Sequence, residues 1–521
     1  MNANELQILI VDLGSQYTRV IGRTLRELGY RSIILPPDKA TKWLTNFKSN
    51  GIILSGGSAS VYQDNAPKPP SEILTMEVPI LGICYGMQWL ARCFGGQVEA
   101  HRDKREYGKA MTHFKLDDPL FQNLKNVESI VWASHGDSVS AVPDHFKIIA
   151  TPGGDVSTHV LSGMDLGVSA MSNMKKRIWG VQFHPEVTHT LEGKTILRNF
   201  IEGICGCSKD WWPKDLIHEI QSKVKLAVGN KRAIIGFSGG VDSTTLTTML
   251  EPILGKNLLA VAIDIGALRE GELDEIRFAA KAAGVRLKIV RAAGRFQKAI
   301  GHATDAEVKR KIFSRLYSII LDEEAKIFGA DFIIQGTLAT DLIESSKSGE
   351  AAHIKSHHNA IARFKSQQIH PLRELFKYEI RDLAKILGLP EQIVNRQPFP
   401  GPGLNLRVVG IPPTREKIAV VRWADAKVTS ILKKHKLMGK ISQLVVALLG
   451  VPVVGIKGDA RTYKYIIAVR GVVSNDFMTC EGFQIPKKVR AEITSEITKH
   501  PEVVQVGFFE TNKPPATTEF E

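Results

Sequence analysis

Gly82-Ile83-Cys84-Tyr85-Gly86 sets a thiol between glycines, directly after the apolar run Val78–Ile83 and before Met87-Gln88-Trp89-Leu90. A strand that turns sharply into a helix through such glycines pushes the intervening side chain out of the backbone. The helix N-terminus behind it then favours a thiolate. A free cysteine is more often simply buried in a sheet, so a second group has to support the reading. It comes far downstream, in Trp179-Gly180-Val181-Gln182-Phe183-His184-Pro185-Glu186. On extended chain His184 and Glu186 share one face. The carboxylate can orient the imidazole while the imidazole takes the thiol proton. Cys84, His184 and Glu186 therefore read as nucleophile, base and orienting acid.

A second constellation follows Ala233–Phe237: Ser238-Gly239-Gly240-Val241-Asp242-Ser243-Thr244, leading into a helix. Two glycines let backbone N–H groups wrap a phosphate, the helix N-terminus adds partial positive charge, and the hydroxyls of Ser238, Ser243 and Thr244 add donors. The chain has no G-x-x-x-x-G-K-[ST] string, so this is not a Walker A loop. Asp242 would repel a bare phosphate and so points to a bridging divalent cation.

The elements that must hold these groups alternate. Strands are expected at Leu6–Val11, Gly51–Leu54 and Val78–Ile83, with helices at Ser15–Leu28 and Tyr85–Phe94, then a strand-rich stretch from Gly95 to Gln182. A break falls near Cys205–Pro213. A second alternation follows: strands Ala233–Phe237, Leu258–Asp264, Leu287–Val290 and Phe332–Gln335, and helices Thr244–Leu254, Glu272–Ala283 and Asp305–Phe328. Pro398–Gly403 reads as a turn-rich linker. Beyond it the pattern is α+β, with helices Arg415–Lys436 and Lys487–Lys499 and strands near Val453–Ile456, Tyr465–Val473 and Val503–Phe509. The expected division is 1–206, 207–400 and 401–521.

With 521 residues and 23% charged side chains the chain has the composition of a multidomain globular protein, not a disordered one. Its net charge of +14 suits an anionic partner, and the block from Leu404 onward, with 18 Lys or Arg against 11 Asp or Glu, carries half of that surplus. Five cysteines make no disulfide framework and suit a reducing cytosol. Leu444–Ile456, the longest apolar stretch, is too short to span a bilayer and contains Pro452. The expectation is a soluble, cytoplasmic protein, with no membrane and no nucleic acid among its partners. Cys205-Gly206-Cys207 lacks the second pair a zinc site needs.

Taken together, the cysteine turn, the His-Pro-Glu segment, Val11–Tyr17, Leu54-Ser55-Gly56-Gly57 and Ser134-His135-Gly136-Asp137 resemble the class I glutamine amidotransferases over residues 6–205. That resemblance implies glutamine hydrolysis through a thioester at Cys84, with the N–H groups of Gly57 and Tyr85 as oxyanion hole. Ser58 stands where the family usually has proline. The string from Ser238 to Ser243 resembles the PP-loop of N-type ATP pyrophosphatases, which adenylate a substrate oxygen and release pyrophosphate. Arg396–Gly403, Gly439–Gln443, Gly458–Arg461, Gln335-Gly336-Thr337, Lys355–Asn359 and the tail Lys513–Glu521 are similar to the synthetases that join the two modules to aminate xanthosine monophosphate (XMP). This implies an α/β amidotransferase domain, a Rossmann-like pyrophosphatase domain with a parallel sheet, and a small α+β C-terminal domain for XMP binding and homodimerisation. It also implies ATP and Mg2+ at Ser238–Thr244, XMP at Arg310, Asp459, Gln443, Lys513 and Glu519, and a lid over 339–365. Ammonia would displace AMP from adenylated XMP to give GMP. An NAD-synthetase-like ligase shares the PP-loop but normally carries a nitrilase-like glutaminase. An RNA-thiolating enzyme needs a sulfur-carrying cysteine nearer the loop.

Overall fold

Short apolar runs build the first sheet. Ile8–Val11, Gly51–Leu54, Ile80–Ile83 and Ile178–Val181 are each buried along their whole length, as expected of parallel strands covered on both faces. The computed structural model describes residues 8–45, 48–100, 106–153, 167–338, 366–457, 460–474, 480–513 and 515–520. These fall into two compact units that divide between Trp212 and Pro213, inside the break read from the sequence.

Among the described residues of the first unit, one sheet runs in the order Ser32–Leu35, Ile8–Val11, Gly51–Leu54, Ile80–Ile83, Ile178–Val181, Ala170–Asn173, Lys147–Pro152, Glu106–Phe114, Glu128–His135. The first five strands are parallel and the rest antiparallel. Val11 pairs with Leu54, Leu54 with Gly82, and Ile83 with Val181. Four chain segments therefore leave the sheet side by side at its carboxyl edge, where α/β sheets bind ligands. The helix Thr18–Leu28 stops at Gly29, whose φ of 94° suits a left-handed cap.

The second unit begins with Pro213 at the first position of a helix, Pro213–Val228. Its first sheet is parallel throughout, in the order Leu287–Arg291, Leu258–Asp264, Ala233–Gly236, Phe332–Ile334, Gln367–Ile369. Strand order reverses at Ala233–Gly236, which is where the glycine loop leaves. Asp305 caps the long helix Ala306–Phe328 by accepting from the Val308 N–H.

The second sheet is a long hairpin of Gln443–Lys457 and Ala460–Val473, with Val503–Phe508 added parallel and helices Arg415–Lys434 and Lys487–Ile497 contributing to its core. The stretch containing Leu444–Ile456 is thus strand, and its register shifts between Leu449 and Val453, where Pro452 cannot donate to the ladder. Pro398–Gly403 is packed more tightly than a linker would be. Leu404 N–H donates to Ala267 O at 2.8 Å, and one apolar core runs from Ile265 and Phe313 through Leu404 and Val408 to Ile467 and Val503. Among the described residues no helix is long and apolar enough to cross a membrane.

Candidate active sites

Cys84 sits between strand Ile80–Ile83 and helix Tyr85–Cys93 with φ 50° and ψ −105°. A β-carbon is strained there. The turn is held by Cys84 N–H to Val181 O at 2.7 Å and Gln88 N–H to Cys84 O at 3.1 Å. Gly86 permits it, because a Cβ there would lie 2.6 Å from Leu54 O. The thiol is buried, and it hydrogen-bonds with His184.

His184 and Glu186 leave the neighbouring strand Ile178–Val181, and His184 Nδ1 lies 2.8 Å from Glu186 Oε1, both side chains almost fully buried. Around them His184 N–H donates to Trp132 O at 3.0 Å, Thr190 Oγ1 donates to His184 O at 2.6 Å, and the Tyr17 ring meets the imidazole edge-on at 4.9 Å. Burial opposes a charge on His184. The Glu186 carboxylate, with hydrogen bonds to Cys84 and Glu186, nevertheless holds its pKa well above the usual imidazole value. Gly57 follows strand Gly51–Leu54, and a Cβ on it would lie 2.6 Å from Leu13 O and 3.3 Å from the Tyr85 ring. Tyr85 is the first residue of its helix, whose leading N–H groups lack intrahelical acceptors. The arrangement thus brings Cys84, His184, Glu186, Gly57 and Tyr85 together. Sequence reasoning passed over Gln182, two residues before His184, whose amide Nε2 donates to Cys84 Sγ at 3.6 Å.

In the second unit the loop residues also meet. Ser238 Oγ and Ser243 Oγ are 3.2 Å apart, Gly240 N–H donates to Ser238 Oγ at 3.3 Å, and Gly239 has φ 68°. The helix starts at Val241, so Val241, Asp242, Ser243 and Thr244 form its first turn. Asp242 Oδ2 is paired with Lys377 Nζ, while Asp242 Oδ1 is buried with no hydrogen-bond partner. Lys377 opens the helix Lys377–Ile386, an element not foreseen in the sequence.

The residues assigned to XMP are partly united. Gln443 Nε2 donates to Glu519 Oε1 at 2.8 Å, and both side chains are buried. Glu519 Oε1 also accepts from Arg407 Nη2 at 3.4 Å, and Arg407 Nη1 donates to Asp425 Oδ1 at 2.9 Å. Arg407 is fully buried; burial works against its charge, but Glu519 and Asp425 hold its pKa above the ordinary arginine value. Arg310 lies 3.6 Å from Glu307 on its own helix, next to Lys309, whose buried Nζ donates to Val408 O at 2.6 Å. Lys513 is fixed through its backbone, which exchanges hydrogen bonds of 3.0 and 2.8 Å with Cys480. Asp459 and the lid segment 339–365 lie outside the described residues.

A polar path runs between the loop and the tail. Arg396 donates to Ser238 O at 3.3 Å and pairs with Glu272; Glu272 Oε2 accepts from Arg269 N–H at 3.3 Å; Arg269 lies 3.6 Å from Asp425, which meets Arg407. Arg407 is the one charge in Leu404-Asn405-Leu406-Arg407-Val408-Val409, a signal that could have pointed to a buried partner.

A strained cysteine turn beside a buried histidine–glutamate pair, on a sheet of this order, defines the first unit as a class I glutamine amidotransferase. Residues 9–204 match the family model described as glutamine amidotransferase class-I, and residues 430–520 match that of the GMP synthase C terminal domain. The chain is 41% identical to the GMP synthase [glutamine-hydrolyzing] of Treponema denticola, covering 99% of this chain and 97% of that protein. It is also 41% identical to the protein of the same description from Thermus thermophilus, over 99% of this chain and all (100%) of the relative. The chain belongs to the glutamine-hydrolysing GMP synthase family.

Proposed function

We propose that this ligase, which uses glutamine as amido donor for GMP synthesis, divides the work between the two constellations. Cys84 Sγ attacks the carboxamide carbon of glutamine as its proton passes to His184. The N–H groups of Gly57 and Tyr85 face the oxyanion. His184 returns the proton to the leaving nitrogen, and ammonia departs. Water, deprotonated by His184, then opens the thioester to glutamate. Glu186 holds the imidazole in the tautomer this needs. In the second unit Ser238–Thr244 cradle the phosphates of ATP, an oxygen of XMP displaces pyrophosphate, and ammonia displaces AMP to give GMP. Arg310, Asp459, Gln443, Lys513 and Glu519 bind XMP, with Lys513 suited to phosphate and Glu519 to purine or ribose donors. The chain then divides at 1–206, 207–400 and 401–521 by role, although the last two share a core.

Asp242 fits a bridging Mg2+, because its Oδ1 is buried and unpartnered. Among the described residues no three His, Cys, Asp or Glu cluster to hold a metal; Asp242 would supply a carboxylate to the ion, with phosphate oxygens and water as its other ligands. When bound, the ion neutralises phosphate charge. Homodimerisation through the hairpin is supported by an apolar face: Val454 pairs across with Tyr463, and Ile456 and Tyr463 are 80% and 58% exposed. A monomer mass in light scattering at micromolar concentration would remove that pairing. A cytoplasmic setting suits five cysteines that form no disulfide.

The observation that carries the reading is Cys84 at φ 50°, hydrogen-bonded to a His184 that is 2.8 Å from Glu186. Purified protein with ATP, magnesium and glutamine or ammonia, assayed with XMP against deamido-NAD, tests it. GMP, AMP and pyrophosphate in equal amounts, with XMP only, is the expected result.

A further inference from the structure

Three hydrogen bonds fix a pair of buried amides behind the nucleophile. Gln88 Nε2 donates to Asp137 O at 2.6 Å and to Gln182 Oε1 at 3.3 Å, and Gln182 Nε2 donates to Cys84 Sγ at 3.6 Å. The direction of this chain is forced from one end. A backbone carbonyl can only accept, so the nitrogen of Gln88 must face Asp137. That same nitrogen then meets the oxygen of Gln182, which turns the Gln182 nitrogen toward the sulfur. Gln88 and Gln182 are 3% and 4% exposed, so water does not compete for these bonds.

Three supports of different origin converge on Cys84. Gln88 N–H holds its carbonyl through the first turn of the helix, Val181 O holds its N–H, and the Gln182 amide holds its sulfur. The titratable groups facing the thiol are His184, with Glu186 behind it and Tyr17 against the imidazole edge, and Tyr85 beside it in the chain. Gln182 is the neutral donor in that set. An N–H pointed at sulfur stabilises developing negative charge there and does so without taking or giving a proton.

We propose that Gln182 is a positioning residue for the glutaminase nucleophile: its amide, locked in the donating orientation by Gln88, aims and stabilises the Cys84 sulfur. The inference rests on reading Cys84 as the nucleophile. Gln182→Met keeps length and burial but removes the donor, and Gln182→Glu replaces it with an acceptor.

The test is the pH profile of Cys84 alkylation by iodoacetamide in the full-length protein, read by mass spectrometry, beside glutaminase and ammonia-dependent GMP synthesis. Losing a hydrogen bond to a charged partner should slow glutaminase about ten- to a hundredfold. The alkylation midpoint should move to higher pH, by about one unit or more in Gln182→Glu and less in Gln182→Met. Gln88→Met should move it the same way by a smaller amount, because Gln182 then keeps its donor but loses the bond that orients it. Ammonia-dependent synthesis should stay within about twofold. An unmoved midpoint in both Gln182 variants, with near-ultraviolet circular dichroism of the parent, overturns the proposal. If Cys84→Ala itself retains glutaminase, the underlying reading fails instead, and the two failures are told apart.

Discussion

The two reaction centres are built on opposite plans. In the first unit the reacting groups already touch: a strained cysteine, a histidine against it and a glutamate 2.8 Å behind, all buried. In the second, the charges are spent on one another. Asp242 is paired with Lys377, Arg396 with Glu272, and Glu519 with Arg407. A hydrolytic site needs a few atoms held to a fraction of an ångström, and a strand edge supplies that. A site for two phosphate-bearing nucleotides needs many charges, which must stay neutralised inside the fold and still exchange partners with a ligand. The first plan yields compact geometry, and the second a network spread over many elements.

Variants that strike one plan should leave the other intact. Cys84→Ala should cut glutamine-dependent synthesis by about a thousandfold or more, since no other group there can form the thioester. Synthesis from added ammonium salt should persist. Equal loss of both in a steady-state assay would break the separation. Glu186→Gln should lower glutaminase by roughly a hundred- to ten-thousandfold by freeing the imidazole from its tautomer.

The same variant has a pH signature in stability. The pKa of His184 is raised above its ordinary 6.5 in the folded chain, so its contribution to stability is complete below that value and fades as pH climbs through the folded one. The gap in urea midpoint between parent and Glu186→Gln should therefore be widest on the acid side of 6.5 and narrow toward alkaline pH. A gap that widens with rising pH would contradict the assignment.

Asp242→Asn sharpens the comparison from the other side. It should reduce glutamine- and ammonia-dependent synthesis alike, by about ten- to a thousandfold at limiting magnesium, while glutamine hydrolysis measured without nucleotide stays unchanged. Glu519→Gln should have the smallest effect of the four, raising the KM for XMP about tenfold to a hundredfold. It keeps a polar group beside Arg407, which retains Asp425. Deleting residues 513–521 is a blunter instrument. It withdraws the buried Thr518 and Glu519 and uncovers part of a fully buried guanidinium, so a stability loss of roughly 3 kcal/mol or more would accompany any change in affinity.

Most of the first centre was legible because its residues lie in short strings at strand ends, where local pattern and final position coincide. Cys84, His184 and Glu186, the residues proposed as triad, come from two such strings, whereas Gly57 and Tyr85 entered through the resemblance to the amidotransferases. Gln182 sat in one of those strings unnoticed, since glutamine in a strand carries no chemistry of its own until a sulfur is placed beside it. The second centre was legible only as far as the Ser238–Thr244 loop. Its helix begins at Val241 and not at Thr244, because glycine-ended loops start helices regardless of the weak propensity of valine. Lys377 lies 135 residues from Asp242, and no spacing rule spans that distance. Pro398–Gly403 has the composition of a linker, and only the Leu404 hydrogen bond to Ala267 and the shared core reveal a packed crossing.

Gly86 and Leu54 have a mechanical consequence. A single added methyl at position 86 would stand 2.6 Å from Leu54 O, so the nucleophile's helix rests on the strand that leads into Gly56 and Gly57 with no clearance to spare. The thiol and the Gly56-Gly57 turn are thereby gauged from one shared surface, like two parts bolted to the same plate. Any side chain larger than hydrogen at position 86 would therefore shift the thiol relative to Gly57.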